Sequence, residues 1–186
     1  IASLGWNQSG IQPLKDYLQL KNTKSFMILV NGRIVMEEYF DGHTATATWP
    51  WNSAGKTLVT ATTGIAQQEG LLNINTRVSQ YLGTGWTSAP AAGTRWSYHN
   101  VFQKLMDVVA AASSQTYETY FNAKVKNKLG MDGFWNNGII FKVYHSNTRS
   151  MARFGILALN KGKWDNEQVL NENFFTESIT TSQSIN

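Results

Sequence analysis

"WPWNSAGKTLVT" (Trp49 to Thr60) admits two readings that lead to different proteins. Gly55-Lys56-Thr57 looks like the end of a phosphate-binding loop, whereas Ser53-Ala54-Gly55-Lys56 sets a serine and a lysine one helical turn apart. A phosphate-binding loop of the form Gly-x-x-x-x-Gly-Lys-Ser/Thr follows a buried strand directly, because backbone N–H groups have to wrap the phosphates. Its first glycine would fall on Pro50, which has no N–H to donate and cannot make the turn. The preceding "HTATATWPW" is also a poor buried strand. A nucleotide-binding protein using Ala54-Gly55-Lys56-Thr57 is therefore the weaker reading.

The serine reading needs a helix that starts near Ser53. Leu58, Ile65 and Ala66 recur at helical spacing and Gly70 offers a stop, which predicts a helix from Ser53 to Gln68. The positive end of that helix would favour an alkoxide on Ser53. Lys56, three residues on, shares its face and can reach the hydroxyl. An ammonium is disfavoured at a helix N-terminus, which leaves a neutral amine available as base. Alone, the spacing is weak: a capping serine and a solvated lysine would explain it equally well.

Working outward, "SFMILVNGRIVMEEYF" (Ser25 to Phe40) predicts a hairpin. Two β-rich runs flank Asn31-Gly32, the preferred pair for a two-residue turn. Helices are predicted over Ile11–Leu20, from an Asn75 cap to Leu82, from an Asn100 cap through Leu105, Val108 and Val109, and over Tyr117–Leu129 with Gly130 closing. Another starts from an Asn147 cap, with Met151, Phe154, Leu157 and Ala158 inward and Gly162 at the stop. "GKWDNEQVLN" reads as a turn or small hairpin and "NENFFTESI" as a last helix. Strands first and helices later indicate an α+β fold.

The 186 residues are 42% hydrophobic and 15% charged, ordinary globular composition. A net charge of +4, spread without a Lys/Arg-rich run, suits a solvated surface and points to no nucleic-acid partner. The absence of cysteine removes disulfides, thiol catalysis and cysteine-based zinc sites. His43, His99 and His145 have no metal-ligand spacing, so no metal and no cofactor is expected. No apolar run approaches a membrane span. Most of the seven Trp are expected in core and loop packing, while Trp49, Trp51 and Trp96 flank the candidate site and could wall it.

A second cluster gives the serine reading its weight. "GTRWSYHNVFQKLMDVVA" (Gly93 to Ala110) places Tyr98-His99-Asn100 just before a helix. Together with Ser53-Ala54-Gly55-Lys56, it resembles the superfamily of serine β-lactamases, penicillin-binding proteins and esterases, in its class C-like branch. Those proteins carry Ser-x-x-Lys at a helix start and then Tyr-x-Asn after a Gly-x-x-Trp/Phe-x-Tyr approach. "TYETYFNAKVKNKLGMDG" and "SNTRSMARFGILALNKGKWDNEQVLNENF" resemble later stretches of the same family. The likeness runs from Ser25 to the C-terminus.

The resemblance implies an antiparallel sheet with flanking helices plus a helical subdomain, with the site between them. It implies Ser53 as nucleophile, Lys56 as the group that deprotonates it, and Tyr98 as a second acid or base serving the leaving group. Asn100 would bind substrate, or simply cap its helix, with Trp51 and Trp96 alongside; the Ser53 N–H would supply half of an oxyanion hole. The expected activity is a serine hydrolase that forms an acyl-enzyme with a small-molecule or peptide amide or ester. The alternative on the same fold is a non-catalytic penicillin-binding-like ligand-binding or sensor protein. An extracytoplasmic location follows from the family alone.

Two departures from the family pattern stand out. No late Lys-Thr-Gly or His-x-Gly motif is present, and only "TSAPAA" stands where the family has a helix and turn. Residues 1–186 are thus expected to form a single β-lactamase-like catalytic domain lacking an internal segment near 86–93 and its C-terminal strands. Such a chain is expected to be a fragment, one half of a cleaved chain or part of a longer one, and a companion fragment could supply the missing strands.

Overall fold

Asn31 and Gly32 both take positive φ, 51° and 74°, which gives the two-residue connection the twist that hairpin strands require. They join β1 (Ser25–Val30) to β2 (Arg33–Tyr39) in antiparallel register, Ser25 opposite Tyr39 and Val30 opposite Arg33. A bulge between Ile28 and Leu29 shifts that register once. The computed structural model describes residues 2–85, 102–138 and 141–181. Among them the architecture is α+β, with helices around small antiparallel sheets.

α1 (Ile11–Leu20) precedes the hairpin and buries Leu18. After β2 the chain reaches β3 (Trp49–Pro50), an edge strand of a three-stranded sheet ordered β3-β5-β4. Pro50 is tolerated there because an edge strand need not donate on its open side. β4 (Phe134–Asn137) and β5 (Lys142–Ser146) complete this sheet. Neither strand is evident in the sequence.

α2 (Gly55–Gln68) runs through the middle of the core, burying Leu58, Val59, Ala61, Thr62, Thr63, Gly64, Ile65 and Ala66. Its buried hydroxyls are satisfied within the helix: Thr62 donates to the Leu58 carbonyl at 2.7 Å and Thr63 to that of Val59 at 2.8 Å. That satisfaction lets polar residues sit in the core without a desolvation penalty. Gly64 is required by packing, since a Cβ there would lie 2.4 Å from Cε1 of Phe174 and 2.7 Å from Cδ1 of Leu170.

α3 (Ser79–Leu82), α4 (Phe102–Ser113), α5 (Tyr117–Phe121), α6 (Thr148–Leu159) and α7 (Glu172–Ile179) complete the helices. Asn147 and Asn171 cap α6 and α7, their side chains accepting from the N–H groups of Ser150, and of Asn173 and Phe174. α3 begins three residues beyond the expected start, without a side-chain cap; the Asn75 N–H instead donates to the Asn73 side chain. The helix expected over Tyr117–Leu129 changes form: α5 stops at Phe121 and a π-helical turn follows from Asn122 to Lys126. A short hairpin, β6 (Lys163–Trp164) with β7 (Glu167–Gln168), leads into α7.

Candidate active site

Ser53 is held by what lies on either side of it. Trp51, expected beside a substrate, is a core residue with only 8% exposure. Its indole N–H donates to Ser146 Oγ at 2.7 Å, and its ring packs edge-on against Tyr144 and Phe154. The Trp51 backbone N–H also donates to the Tyr144 carbonyl at 2.8 Å, which ties the turn to β5. Trp51 therefore supports the turn from beneath.

Next comes Asn52 with φ of 47°, a left-handed conformation that asparagine tolerates better than most residues. A single 3-10 turn, Asn52–Ala54, follows, and α2 begins at Gly55. The helix starts two residues later than the sequence suggests. Ser53 nonetheless sits at the positive end of a 14-residue helix, with its side chain exposed.

Lys56 Nζ donates to Ser53 Oγ at 3.3 Å. The serine-plus-three spacing thus puts amine and hydroxyl in contact. Two aromatic rings flank the same nitrogen: the Phe102 centroid is 4.4 Å from Nζ and that of Phe141 is 5.8 Å away. The rings meet each other edge to face, 6.0 Å apart and 73° inclined. Sequence reading missed both. Phe102 lay two residues past Asn100 in a quoted motif, but no local pattern brings Phe141 to Lys56.

Gly55-Lys56-Thr57 forms the first turn of α2 and does not wrap into a loop; Gly55 itself is helical, with φ of −60°. Trp96, Tyr98 and Asn100 lie outside the described residues, as does the segment near 86–93. Trp49 is 46% exposed and meets His43 edge-on at 5.8 Å. His145 stacks on Phe134. Among the described residues, no group of three or more His, Asp or Glu is arranged to hold a metal, and no helix is long and apolar enough to cross a membrane.

No protein-family model and no curated protein matches the sequence. Solved structures do match. A candidate 6-aminohexanoate-dimer hydrolase from Bacillus anthracis superposes with a TM-score of 0.75 at 16% identity, over 88% of this chain and 61% of that one. A candidate β-lactamase from Bacteroides dorei gives 0.73 at 13% identity, over 92% and 68%. The octameric penicillin-binding protein homologue from Pyrococcus abyssi gives 0.72 at 12%, over 94% and 60%. The chain has the fold of β-lactamases and penicillin-binding proteins, and it spans roughly 60–70% of the length of these relatives.

Proposed function

We propose that this chain carries the nucleophile-bearing part of a serine hydrolase that forms an acyl-enzyme with an amide or ester. The observation that carries the reading is the 3.3 Å contact between Lys56 Nζ and Ser53 Oγ at the N-terminal end of a buried helix. Such a pair is chemically suited to acyl transfer. Acylation would need the amine form of Lys56: the serine proton passes to Nζ, Oγ attacks the carbonyl carbon, and the carbonyl electron pair moves onto oxygen. The helix end and the Ser53 N–H favour the resulting oxyanion. In this reading Tyr98 protonates the leaving group, Asn100 holds the substrate, and water later cleaves the acyl-serine.

The fold likeness supports the class of chemistry without choosing a substrate. The test is stopped-flow kinetics of the full-length gene product with a p-nitrophenyl ester. The reading expects a burst of p-nitrophenol equal to the enzyme concentration, followed by steady turnover. A burst without turnover would make the protein an acylating sensor instead. No burst would remove Ser53 as an activated nucleophile.

A further inference from the structure

We infer that Ser146 is a positioning residue for Ser53, acting through the indole of Trp51. This rests on the reading of Ser53 as the nucleophile. The two residues before Ser53 set where its hydroxyl points, and one of them, Asn52, holds a left-handed φ of 47°. A non-glycine residue keeps that conformation only where the chain on both sides of it is fixed. On the far side, α2 is buried in the core. On the near side, β3 ends in Pro50, which has no N–H to give to β5. Beyond that pair the chain is held at Trp51, by its main chain and its side chain together. The backbone N–H donates to the Tyr144 carbonyl at 2.8 Å, and the indole N–H donates to Ser146 Oγ at 2.7 Å. The Trp51 carbonyl in turn accepts from the Ala54 N–H at 3.0 Å, closing the turn that carries Ser53.

Ser146 is fully buried, and its hydroxyl has a defined direction. An indole nitrogen can only donate, so Ser146 Oγ must accept from it and gives its own proton to the Asn147 carbonyl at 3.2 Å. The acceptor is itself held in place. Asn147 donates from Nδ2 to Asp132 Oδ2 at 2.9 Å and accepts on Oδ1 from the Ser150 N–H at 2.9 Å. The Asp132 N–H donates to Ser150 Oγ at 2.8 Å. The end of β5, the first turn of α6 and the segment leading into β4 thus meet in one set of hydrogen bonds. Ser146 is the member that reaches the nucleophile's turn. A hold at two points stops Trp51 from rocking about its backbone, and the direction of Ser53 Oγ follows. Misplacing a reacting atom by about 1 Å costs on the order of 10²-fold in rate. If the hydroxyl merely satisfied a buried indole, its loss would lower stability and leave the acylation of folded protein unchanged.

The test deletes either end of the contact in the full-length gene product and times the acylation burst with a p-nitrophenyl ester. Ser146→Ala removes the acceptor. Replacing Trp51 by β-(3-benzothienyl)alanine, whose ring sulfur stands where the N–H was, removes the donor at nearly constant shape and leaves no buried proton without a partner. Each change should slow the burst by about tenfold to a hundredfold with ester affinity retained. The two together should slow it no more than either alone, because they break the same contact. Leu129→Ala, a core deletion outside this set of hydrogen bonds, should lower Tm and leave the burst rate at the parental value. A parental burst rate in the Trp51 isostere, or effects that multiply in the double variant, overturns the inference while leaving Ser53 as nucleophile. So does a burst that slows equally in Leu129→Ala, since the rate would then follow stability alone. Should Ser146→Ala fail to fold, the Trp51 isostere decides by itself. If the parent gives no burst, the hydrolase reading falls and the positioning role falls with it.

Discussion

Nine of the 14 residues of α2 are buried, whereas in the strands of the hairpin only Met36 is. α2 closes its own polar accounts through Thr62 and Thr63 and meets the rest of the core through Leu58, Ile65 and Gly64. Polar links tie the hairpin to the helices beside it. Arg149 on α6 makes a two-pronged contact with Glu37 at 2.8 Å per prong, Lys15 on α1 pairs with Glu38 at 2.5 Å, and Thr148 donates to Ser25 Oγ at 2.6 Å. Alternate residues of β1 are apolar on both faces, and all are half-buried. Ser53 therefore stands on a platform sensitive to volume, while the hairpin responds to charge and to whatever covers it.

The largest effect should come from the platform's chemistry. Lys56→Arg keeps the charge but gives no neutral amine, since guanidinium stays protonated. The acylation rate should fall by about 10²–10⁴-fold with ligand affinity retained, and Tyr98→Phe should lose a similar factor in turnover. Stopped-flow bursts and titration calorimetry measure the two quantities; near-parental kinetics in both variants would remove these residues from the reaction.

Next in size is the core beneath the site. Leu58→Ala deletes a fully buried side chain and should cost about 2–5 kcal/mol in urea unfolding. Gly64→Ala, which drives a methyl group into Phe174 and Leu170, should cost about 1–3 kcal/mol. If both variants unfold like the parent, α2 is not the rigid platform described above.

The smallest effect belongs to the hairpin. The hydrogen bonds from Arg149, and then that from Tyr39, hold the Glu37 carboxyl below its usual 4.5. Burial first, and then the Glu37 carboxylate, push the Tyr39 hydroxyl up to about 12. A lowered carboxylate contributes stability above its unfolded value, and that contribution disappears as pH falls through the lower folded value. Glu37→Gln should therefore lower Tm at pH 7 and at low salt, with the gap to the parent closing below about pH 4. A gap independent of pH would mean that the contact acts by shape alone.

The hairpin raises one further expectation. Among the described residues, β1 and β2 hydrogen-bond only to each other as strands, which leaves open edges suited to pairing. Residues 1–186 expressed alone should be aggregation-prone and nearly inactive in an activated-ester assay. A soluble, fully active monomer would break the contrast between platform and hairpin.

Elements specified by neighbouring residues were the legible ones. Asn31-Gly32 encodes its turn through two positive φ values, Asn147 encodes a cap, and the Ser53-to-Lys56 spacing encodes a contact across one helical turn. β4 and β5 were not legible, because "FWNN" and "KVYHS" have no clear alternation and become strands by pairing with each other and with Trp49–Pro50. The π-helical turn after Phe121 and the burial of Trp51 likewise depend on tertiary packing. Within the site, the serine and lysine were readable from spacing, whereas the Phe102–Phe141 pair required the fold.

The central claim is that Ser53 is an activated nucleophile. The direct measurement is intact mass and peptide mapping of the full-length gene product after a fluorophosphonate, beside its Ser53→Ala variant. One adduct should appear on the peptide containing Ser53 and none on the variant, whose stability should stay within about 0.5 kcal/mol of the parent because the side chain is exposed. An adduct on another residue, or equal labelling of a folded Ser53→Ala protein, would contradict the account.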